Sequence, residues 1–446
     1  MGGDPALGLS QASQGARGGA IGVWALVGAD VIALAASFYF SIFILQVSGW
    51  RAPWDNSEQE FSWAFGFAIS ALCFVFIAKM LGLYPGRGMP GPERIKRRLA
   101  TAQISVIAPI AVIALHDGSS IPMIKALIAL AALAFLSPFL EMLTINVLDR
   151  AGLWRSPVVV HGSPEQIERI SGYMNEFPEL GFKPVARASL AASANASSMQ
   201  IIPRVDDGRQ IWTLAATSHA LPFFAPVERA ELARIRHEPD RLSLALKRLL
   251  DIAILTILAL PAALIVAVVA VFIVVTDGFP IFYWQERRGL NGKKIRVWKL
   301  RSMRRDAEER LAAHLRTNPA AHDEWVSYFK LKDDPRILPG IGNFIRKSSI
   351  DELPQLWNVL SGDMSMIGPR PFPDYHLETF SEEFRILRSR VLPGLSGLWQ
   401  VTMRSDGNSI WQEELDRTYV ESWSIWLDIY IFLRTPIALF SKRGAR

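Results

Sequence analysis

Four long apolar runs near the N-terminus constrain this chain more than any other feature of its 446 residues. Each run approaches the roughly 20 consecutive apolar residues that a helix needs to cross a lipid bilayer. The runs occupy residues 20–47, 61–83, 99–115 and 121–148. Residues 1–19 lack the short apolar run and the small-residue cleavage site of a secretory signal. The sequence therefore predicts a flexible tail followed, over residues 20–150, by a bundle of four membrane-spanning helices.

Basic residues in the connecting segments predict how this bundle is oriented. Lys and Arg are enriched on the cytoplasmic side of short membrane loops. The segments after the second and fourth runs are basic, whereas the other two loops carry little positive charge. The basic residues are Arg87, Arg94, Lys96, Arg97, Arg98, Arg150 and Arg155. We therefore expect both ends of the bundle to face the cytoplasm.

Two residues within the apolar runs, Asp30 and Cys73, bear on function. A charged side chain at that depth often marks a functional site, but Asp30 can equally be a packed polar contact, and both interpretations stay open. Cys73 is the single cysteine of the chain, which excludes an internal disulfide and a thiolate zinc site.

Composition narrows the class of protein further. Half of the residues are hydrophobic, which excludes a disordered chain. The net charge of +6 is compatible with binding to nucleic acid, anionic lipid or phosphorylated substrates.

Residues 151–240 have the character of a soluble domain. Predicted strands lie at residues 157–160, 199–202 and 211–215, and predicted helices begin at Ser163 and cover residues 226–236. Strands that alternate with helices predict a small α/β module of the Rossmann-like type. Its first turn, His161-Gly162-Ser163, lacks the G-x-G-x-x-G pattern that lets a backbone approach a diphosphate. We therefore expect a structural or regulatory module and no nucleotide site there.

A fifth apolar run, residues 249–275, is long enough to span a membrane but has basic residues at both ends. Arg241, Lys247 and Arg248 precede it, and seven Lys and Arg residues follow it between positions 287 and 301. A spanning helix would place the second basic cluster outside, against the positive-inside bias. Pro261 lies near the middle and favours a kink. We expect a re-entrant helix that enters and leaves on the cytoplasmic side, with a kinked fifth span as the alternative.

Aromatic residues at two places suit a lipid–water boundary. Phe279, Phe282, Tyr283 and Trp284 follow the fifth apolar run directly. Near the C-terminus, apolar residues from Trp423 to Leu433 recur at helical spacing before a basic tail. The sequence leaves open whether this last helix lies on anionic lipid or packs against the domain core.

Two adjacent carboxylates, Asp351 and Glu352, are the first candidates for chemistry. Ser349 with Glu352 three positions later fits a helix capping box, and Asp351 could instead be the cap, with Pro354 in the first turn. Either arrangement places both acids at a helix N-terminus, whose partial positive charge can hold a carboxylate ionised or bind a phosphate. A capping box is common in structural helices, so this motif alone does not indicate a site.

Basic residues around the acids favour phosphoryl transfer. The candidates for binding phosphate are Lys299, Arg301, Arg346, Arg370 and Arg404. Arginine matches phosphate oxygens with two parallel hydrogen bonds. Mg²⁺ is commonly bound by one or two carboxylates together with substrate phosphates, and a carboxylate can attack phosphorus. The sequence therefore predicts a magnesium-assisted site, whereas nucleic-acid binding is not expected, because these cations accompany apolar runs and not a stacking platform.

Five motifs between residues 247 and 442 together resemble one protein family. They are Lys247-Arg248-Leu249-Leu250-Asp251, Lys299-Leu300-Arg301-Ser302-Met303, and the segments 346–356, 363–371 and 393–401. In this order they resemble the bacterial polyprenyl-phosphate sugar-1-phosphate transferases, the monotopic phosphoglycosyl transferase superfamily. With four spans and a middle module, the chain looks like the long branch that transfers galactose 1-phosphate or glucose 1-phosphate. The resemblance implies a mainly α-helical catalytic domain over residues 241–446.

The resemblance also implies a reaction with two steps. Asp351 matches the family's nucleophile, which attacks the sugar-bearing phosphorus of a UDP-hexose and releases UMP. Polyprenyl (undecaprenyl) phosphate then takes the phosphosugar from the aspartate. Asp351 and Glu352 match the magnesium-binding position, and Pro261 matches the break of the re-entrant helix. Such an enzyme would lie in the bacterial inner membrane, with its catalytic domain on the cytoplasmic face.

Arg346, Arg370 and Arg404 match family positions that contact phosphate or nucleotide. The chain departs from the family pattern near the last of these. Leu395-Ser396 stands where Ile-Thr is usual, and Thr402-Met403-Arg404-Ser405 replaces a Ser/Asn-Gly-Arg-Asn form. The second departure leaves the geometry of the loop around Arg404 open.

Two other functions remain as alternatives. A membrane glycosyltransferase would move the sugar alone and release UDP, and a scaffold or regulator of polysaccharide assembly would not catalyse at all. The intact Asp351-Glu352 pair argues against the scaffold, since an inactive site need not keep both acids. The sequence does not decide between glucose and galactose, or between a monomer and a homodimer, or among exopolysaccharide, capsule and O-antigen synthesis.

Overall fold

The computed structural model describes most of the chain. The described residues are 5–48, 57–117, 121–161, 164–188, 201–206, 209–215, 241–328, 331, 334–402 and 409–440. The chain divides into two compact units, Met1–Ile235 and Arg236–Arg446. The expected helix at 226–236 and the Ser163 cap lie outside the described residues.

Four helices form the apolar part of the first unit. They are α1 (Pro5–Val47), α2 (Ser57–Met80), α3 (Gly91–Asp117) and α4 (Ile121–Arg150). Helix α1 packs along α4, and α3 packs against α2 and α4. Among the described residues of this unit, Ile21–Val47 and Ile124–Arg150 are long and apolar enough to cross a membrane, and Gly66–Met80 is a shorter apolar helix.

A buried charge cluster joins three of these helices and the α2–α3 loop. Arg98 on α3 donates to Asp30 on α1, to Glu141 Oε2 on α4 at 2.6 Å and to Ser137 Oγ at 2.9 Å. Tyr84, in the loop before α3, also donates to Asp30. Arg98, Asp30 and Glu141 are almost fully shielded from solvent. Asp30 is therefore a packed polar contact that holds the helices together.

A small mixed sheet follows the bundle in the first unit. Its elements are β1 (Ser156–His161), α5 (Pro164–Glu176), a 3-10 turn (Pro178–Leu180), β2 (Phe182–Ala188), β3 (Ile201–Asp206) and β4 (Arg209–Ala215). The strand order is β2-β1-β4-β3, with β1 parallel to β2 and β4 and with β3 antiparallel to β4. Strands and a helix are thus present where the α/β pattern placed them, and the Rossmann-like type stays a prediction.

Helix α6 (Arg241–Asp277) opens the second unit and continues through Pro261. Near its start, Lys247 donates to Ile367 O at 2.9 Å and to Asp428 Oδ2 at 2.7 Å, and Asp251 accepts from Ser365 Oγ at 2.9 Å. Near its end, Val269 and Ile273 belong to a cluster with Leu300, Leu338 and Ile345. Large apolar side chains between these ends are exposed: Ile257, Leu258, Leu260, Leu264, Ile265 and Val268. Both ends of α6 therefore contact the same globular body, while its middle does not.

The remaining elements of the second unit are short. They are β5 (Phe282–Arg288), a 3-10 turn (Leu290–Gly292), β6 (Lys294–Leu300), α7 (Ala307–Thr317), α8 (Pro319–Tyr328), α9 (Gly342–Lys347), a 3-10 helix (Ile350–Gln355), α10 (Leu356–Ser361), β7 (Ser365–Ile367), α11 (Asp374–Leu377), α12 (Glu382–Arg388), β8 (Gly394–Ser396), α13 (Leu398–Thr402), α14 (Ser409–Glu421) and α15 (Ile425–Phe440). Strands β5 and β6 form an antiparallel hairpin, and β7 pairs with β8 in parallel. On α15, Tyr430 and Leu433 are buried, so this helix packs against the domain core.

Candidate active site

The adjacent acids Asp351 and Glu352 lie on the 3-10 helix Ile350–Gln355. The expected capping arrangements are wrong. Ser349 precedes this helix in the left-handed conformation (φ 58°), and its side chain makes no capping hydrogen bond. A capping box needs the Glu side chain to reach back to the cap residue, whereas the Glu352 carboxylate accepts hydrogen bonds from two cations. The tight turn instead directs both acids toward neighbouring basic side chains.

Lys299, at the end of strand β6, bridges the two acids. Its Nζ lies 2.9 Å from Glu352 Oε1 and 3.4 Å from Asp351 Oδ2. The strand is held in place by Asn358 on α10, which donates to Arg296 O at 2.7 Å and accepts from Trp298 N at 3.1 Å. Because Asn358 is buried, these two bonds fix the hairpin against α10, which directly follows the 3-10 helix that carries the acids.

Arg370 holds Glu352 from the other side. Its Nη1 donates to Glu352 Oε2 at 3.3 Å, and its Nη2 donates to Glu352 Oε1. The loop before Arg370 packs so closely on the segment from Leu392 to Gly394 that a Cβ on Gly368 would lie 2.4 Å from Leu392 O. The buried Arg388 also donates to Arg370 O and to Asp416 Oδ2. Backbone packing and Arg388 therefore position the guanidinium of Arg370.

The pKa values of the two acids are shifted in opposite directions. Burial raises the pKa of Asp351, the Glu352 carboxylate raises it further, and Lys299 only partly offsets them. Burial acts the same way on Glu352, but Arg370 and Lys299 outweigh it and hold the pKa of Glu352 at about 2. Glu352 is thus a permanent anion, whereas Asp351 is the more basic carboxylate and makes only the weaker contact with Lys299.

Of the other predicted phosphate ligands, Arg301 and Arg346 make their contacts with residues other than the two acids. Arg301 is buried and donates to Asp277 Oδ2 at 2.9 Å and to Gly278 O, so it ties the end of α6 to the domain. Arg346 is partly exposed, with its Nη1 4.0 Å from Asp334 Oδ2. Arg404 lies outside the described residues. The structure thus brings Lys299 and Arg370 to the acids, and the roles of Arg301 and Arg346 stay predictions.

Several residues that position the site were missed by the sequence reasoning. Asn358 and Arg388 make side-chain bonds to backbone that no short motif signals, and Ser365, although inside the motif 363–371, was given no role. For Asn358 the sequence signal was apolar context, since it lies between Trp357 and Val359. A buried amide in such a context usually satisfies a backbone partner.

The carboxylates fit a magnesium ion that shares its ligands with a substrate. Mg²⁺ usually keeps several waters and takes one or two protein carboxylates together with phosphate oxygens. Asp351 and Glu352 provide such a pair. Within the described ranges, no group of three or more His, Cys, Asp or Glu side chains could hold a metal ion. The donor set therefore suits a metal bound with substrate and does not suit an all-protein cage.

Comparison with known proteins identifies the second unit. Residues 242–442 match the family described as bacterial sugar transferase. The undecaprenyl-phosphate galactose phosphotransferase of Salmonella typhimurium is 31% identical over 70% of this chain and 73% of its own length.

Two further relatives match about half of the chain. The exopolysaccharide production protein ExoY of Rhizobium meliloti is 35% identical over 52% of this chain and 98% of its own length. The UDP-glucose:undecaprenyl-phosphate glucose-1-phosphate transferase of Escherichia coli is 33% identical over 45% of this chain and 41% of its own length. The family match over residues 242–442 contains Asp351, Glu352, Lys299 and Arg370. The chain belongs to the bacterial sugar transferase family.

Proposed function

We propose that this protein transfers a hexose 1-phosphate from a UDP-hexose to polyprenyl phosphate and releases UMP. The observation that carries the proposal is the pair of acids with opposite pKa shifts, held between Lys299 and Arg370. The relatives from Salmonella and Escherichia coli are named for undecaprenyl phosphate and for galactose or glucose. Both hexoses therefore stay candidates for this chain.

In the first step, Asp351 acts as the nucleophile. A carboxylate oxygen attacks the sugar-bearing phosphorus, and the bond from that phosphorus to the bridging oxygen breaks, so that UMP leaves with the oxygen. The raised pKa makes Asp351 the better nucleophile of the two acids. Glu352 stays ionised and pairs with Lys299 and Arg370, which keeps both cations beside the reacting phosphate.

In the second step, an oxygen of polyprenyl phosphate attacks the same phosphorus. The bond to Asp351 breaks, the carboxylate is regenerated, and a polyprenyl diphosphate sugar forms. Lys299 and Arg370 stabilise the negative charge on the transferring group in both steps. Mg²⁺ bound by Asp351, Glu352 and a substrate phosphate would neutralise further charge.

The contacts of helix α6 support a re-entrant path. Its start is bonded to β7 and α10, and Arg301 bonds its end, so both ends are held by one charged body, which favours their lying on the same side of the bilayer. Val266 and Ile350 both pack against the apolar cluster near the end of the helix. A bend at Pro261 would let the helix return to that side.

This path would place Asp351 and Glu352 at the membrane surface. Trp357 and Leu360, on the helix that follows Asp351, are exposed, as are Phe344 and Phe279. Exposed aromatic and apolar side chains of this kind suit the lipid–water boundary. A lipid phosphate could then reach Asp351 from the cytoplasmic face of the inner membrane, the leaflet to which cytosolic UDP-hexose has access. The ExoY relative is named for exopolysaccharide production, which favours that pathway for the product.

The test is the nucleotide released by the purified full-length protein with UDP-hexose, undecaprenyl phosphate and Mg²⁺. We expect UMP, and UDP would instead indicate a glycosyltransferase. Asp351→Asn should abolish both turnover and a radiolabelled phosphosugar adduct on the protein. Asp306→Asn is the control, since Asp306 is an exposed partner of Arg310. Normal turnover by Asp351→Asn would refute the assigned nucleophile.

A further inference from the structure

Arg287 lies on the hairpin that carries Lys299 and belongs to the same face of β5 as Tyr283. Side chains two or four positions apart in a strand share a face. Tyr283 is paired with Lys299 across the hairpin, and Lys299 contacts both acids. Arg287 therefore adds a further cation to the strand face that borders the site.

The surroundings of Arg287 contain a second arginine. Electrostatic interactions link Arg287 with Arg370, Tyr283 and Tyr375, and together with partial burial the Arg370 guanidinium lowers the pKa of Arg287. Arg370 itself is held by Glu352. Arg287 is thus within electrostatic range of Arg370, and Arg370 and Lys299 both contact Glu352.

No carboxylate neutralises Arg287 among the residues that the structure describes. Its guanidinium donates to Glu286 O at 3.2 Å and to the side chain of Gln285, both on its own strand. The next residue, Arg288, contrasts with it: two of its nitrogens donate to Asp374 at 2.7 and 2.8 Å. Holding two charged guanidinium groups near each other in a partly buried place costs free energy, and a bound anion would offset that cost.

The balance of charge at the site favours an anionic ligand. Lys299, Arg370 and Arg287 outnumber Asp351 and Glu352, and any bound Mg²⁺ would enlarge the positive excess. Arginine binds phosphate oxygens with strong, two-pronged hydrogen bonds. A phosphate group next to Arg370 would supply the anionic partner that Arg287 lacks among the described residues.

We propose that Arg287 binds a phosphate group of a substrate of this site, as a second guanidinium beside Arg370. The proposal rests on the function proposed above, in which two different substrates bring phosphate to Asp351. The group is either the diphosphate of the UDP-hexose or the phosphate of the polyprenyl acceptor. Neither the sequence motifs nor the family resemblance pointed to this residue.

The test separates these two sources in the full-length protein. In the first arm, UDP-glucose or UDP-galactose is given without lipid, and UMP is measured in a single turnover. In the second arm, the KM for undecaprenyl phosphate is measured at saturating UDP-hexose. We expect Arg287→Met to impair the use of one of the two substrates by about 10- to 100-fold, seen as a slower UMP rate or a higher lipid KM. This is the range expected for loss of a charge-assisted hydrogen bond. A slow first arm assigns the nucleotide diphosphate, and a normal first arm with a raised lipid KM assigns the acceptor phosphate.

Two further variants keep the test decisive. Arg287→Lys keeps the charge but loses the two-pronged geometry, so we expect an intermediate loss for the same substrate even if Arg287→Met melts at lower temperature. Arg288→Met is the matched control, and its single-turnover UMP rate and its lipid KM should both stay within about twofold of wild type, as for an exposed pair. An unchanged UMP rate and an unchanged lipid KM in both Arg287→Met and Arg287→Lys would overturn the proposal. Release of UDP by the wild type would refute the proposed function instead. The affinities of the wild type and of Arg287→Met for UDP-hexose, compared by calorimetry, would then still test whether Arg287 binds phosphate.

Discussion

Asp351 and Glu352 are neighbours in the chain, yet their different surroundings give them different roles. Glu352 carries the strong contacts to Lys299 and Arg370, which hold its pKa at about 2. Asp351 has only the longer contact with Lys299 and a raised pKa. One acid thus anchors the cations while the other stays available to react. This division depends on single contacts, so single substitutions should disturb it.

We expect Lys299→Met to lower the rate of UMP formation by at least about tenfold, since a charge-assisted contact of this kind is worth about 1.5–3 kcal/mol. The loss follows because Lys299 bonds both acids and, in the reaction proposed above, would stabilise the transferring phosphate. Lys294→Met is the control on the same strand, where an exposed lysine pairs with Glu286. The expectation fails if both variants keep the wild-type rate.

At the scale of the elements, backbone contact between two loops positions Arg370. Strands β7 and β8 pair in parallel, with Ser365 opposite Gly394 and Ile367 opposite Ser396. A Cβ on Gly394 would lie 2.0 Å from Gly368 N. The glycines in two of the family motifs therefore serve close approach of the backbone, which places the arginine that follows Gly368 and Pro369.

We expect Gly394→Ala to destabilise the protein by at least about 1–3 kcal/mol, the usual range for overpacking, and to lower activity because Arg370 moves with its loop. The control is Gly28→Ala in helix α1, where an added Cβ would meet nothing within 4 Å. Thermal unfolding and UMP formation measure both effects. A fully stable and active Gly394→Ala variant would contradict this view of the loop.

The bundle offers a second prediction at this scale, because Arg98 is the shared partner of Asp30 and Glu141. Removing one partner of a buried ion pair costs about 3–5 kcal/mol, since the remaining charges stay buried. We expect Arg98→Met to lower the unfolding temperature in detergent strongly. Arg97→Met, which removes a partly exposed pair with Glu93, should cost far less. Equal losses in the two variants would show that the cluster is not a main source of stability.

The sequence predicted the elements that depend on local pattern. Helices cover the four apolar runs and the run around Pro261, and strands lie at 157–160 and 211–215. It did not predict the left-handed Ser349 or the bonds of Asn358, because both depend on contacts with β6 and on residues far apart in the chain. Arg301 was expected at the phosphate, whereas the structure bonds it to Asp277, a partner 24 positions away.

At the scale of the whole molecule, the relatives match different shares of this chain. The ExoY protein matches over nearly its full length with about half of this chain, whereas the Salmonella protein matches over 70% of it. The second unit contains every residue that the proposed reaction uses. The first unit adds the bundle and the α/β module, and its charge cluster makes that bundle a packed structure in its own right.

The path of helix α6 is the claim on which the reaction at the membrane depends. Its two ends can be labelled separately, because Cys73 is the single native cysteine and can be replaced by Ser. Arg241 and Lys293 are exposed positions on either side of the apolar stretch. The variants Arg241→Cys and Lys293→Cys would be treated, in intact bacteria and after permeabilisation, with a thiol reagent that does not cross membranes. We expect both positions to react only after permeabilisation; reaction of Lys293→Cys in intact cells while Arg241→Cys stays protected would contradict the re-entrant helix.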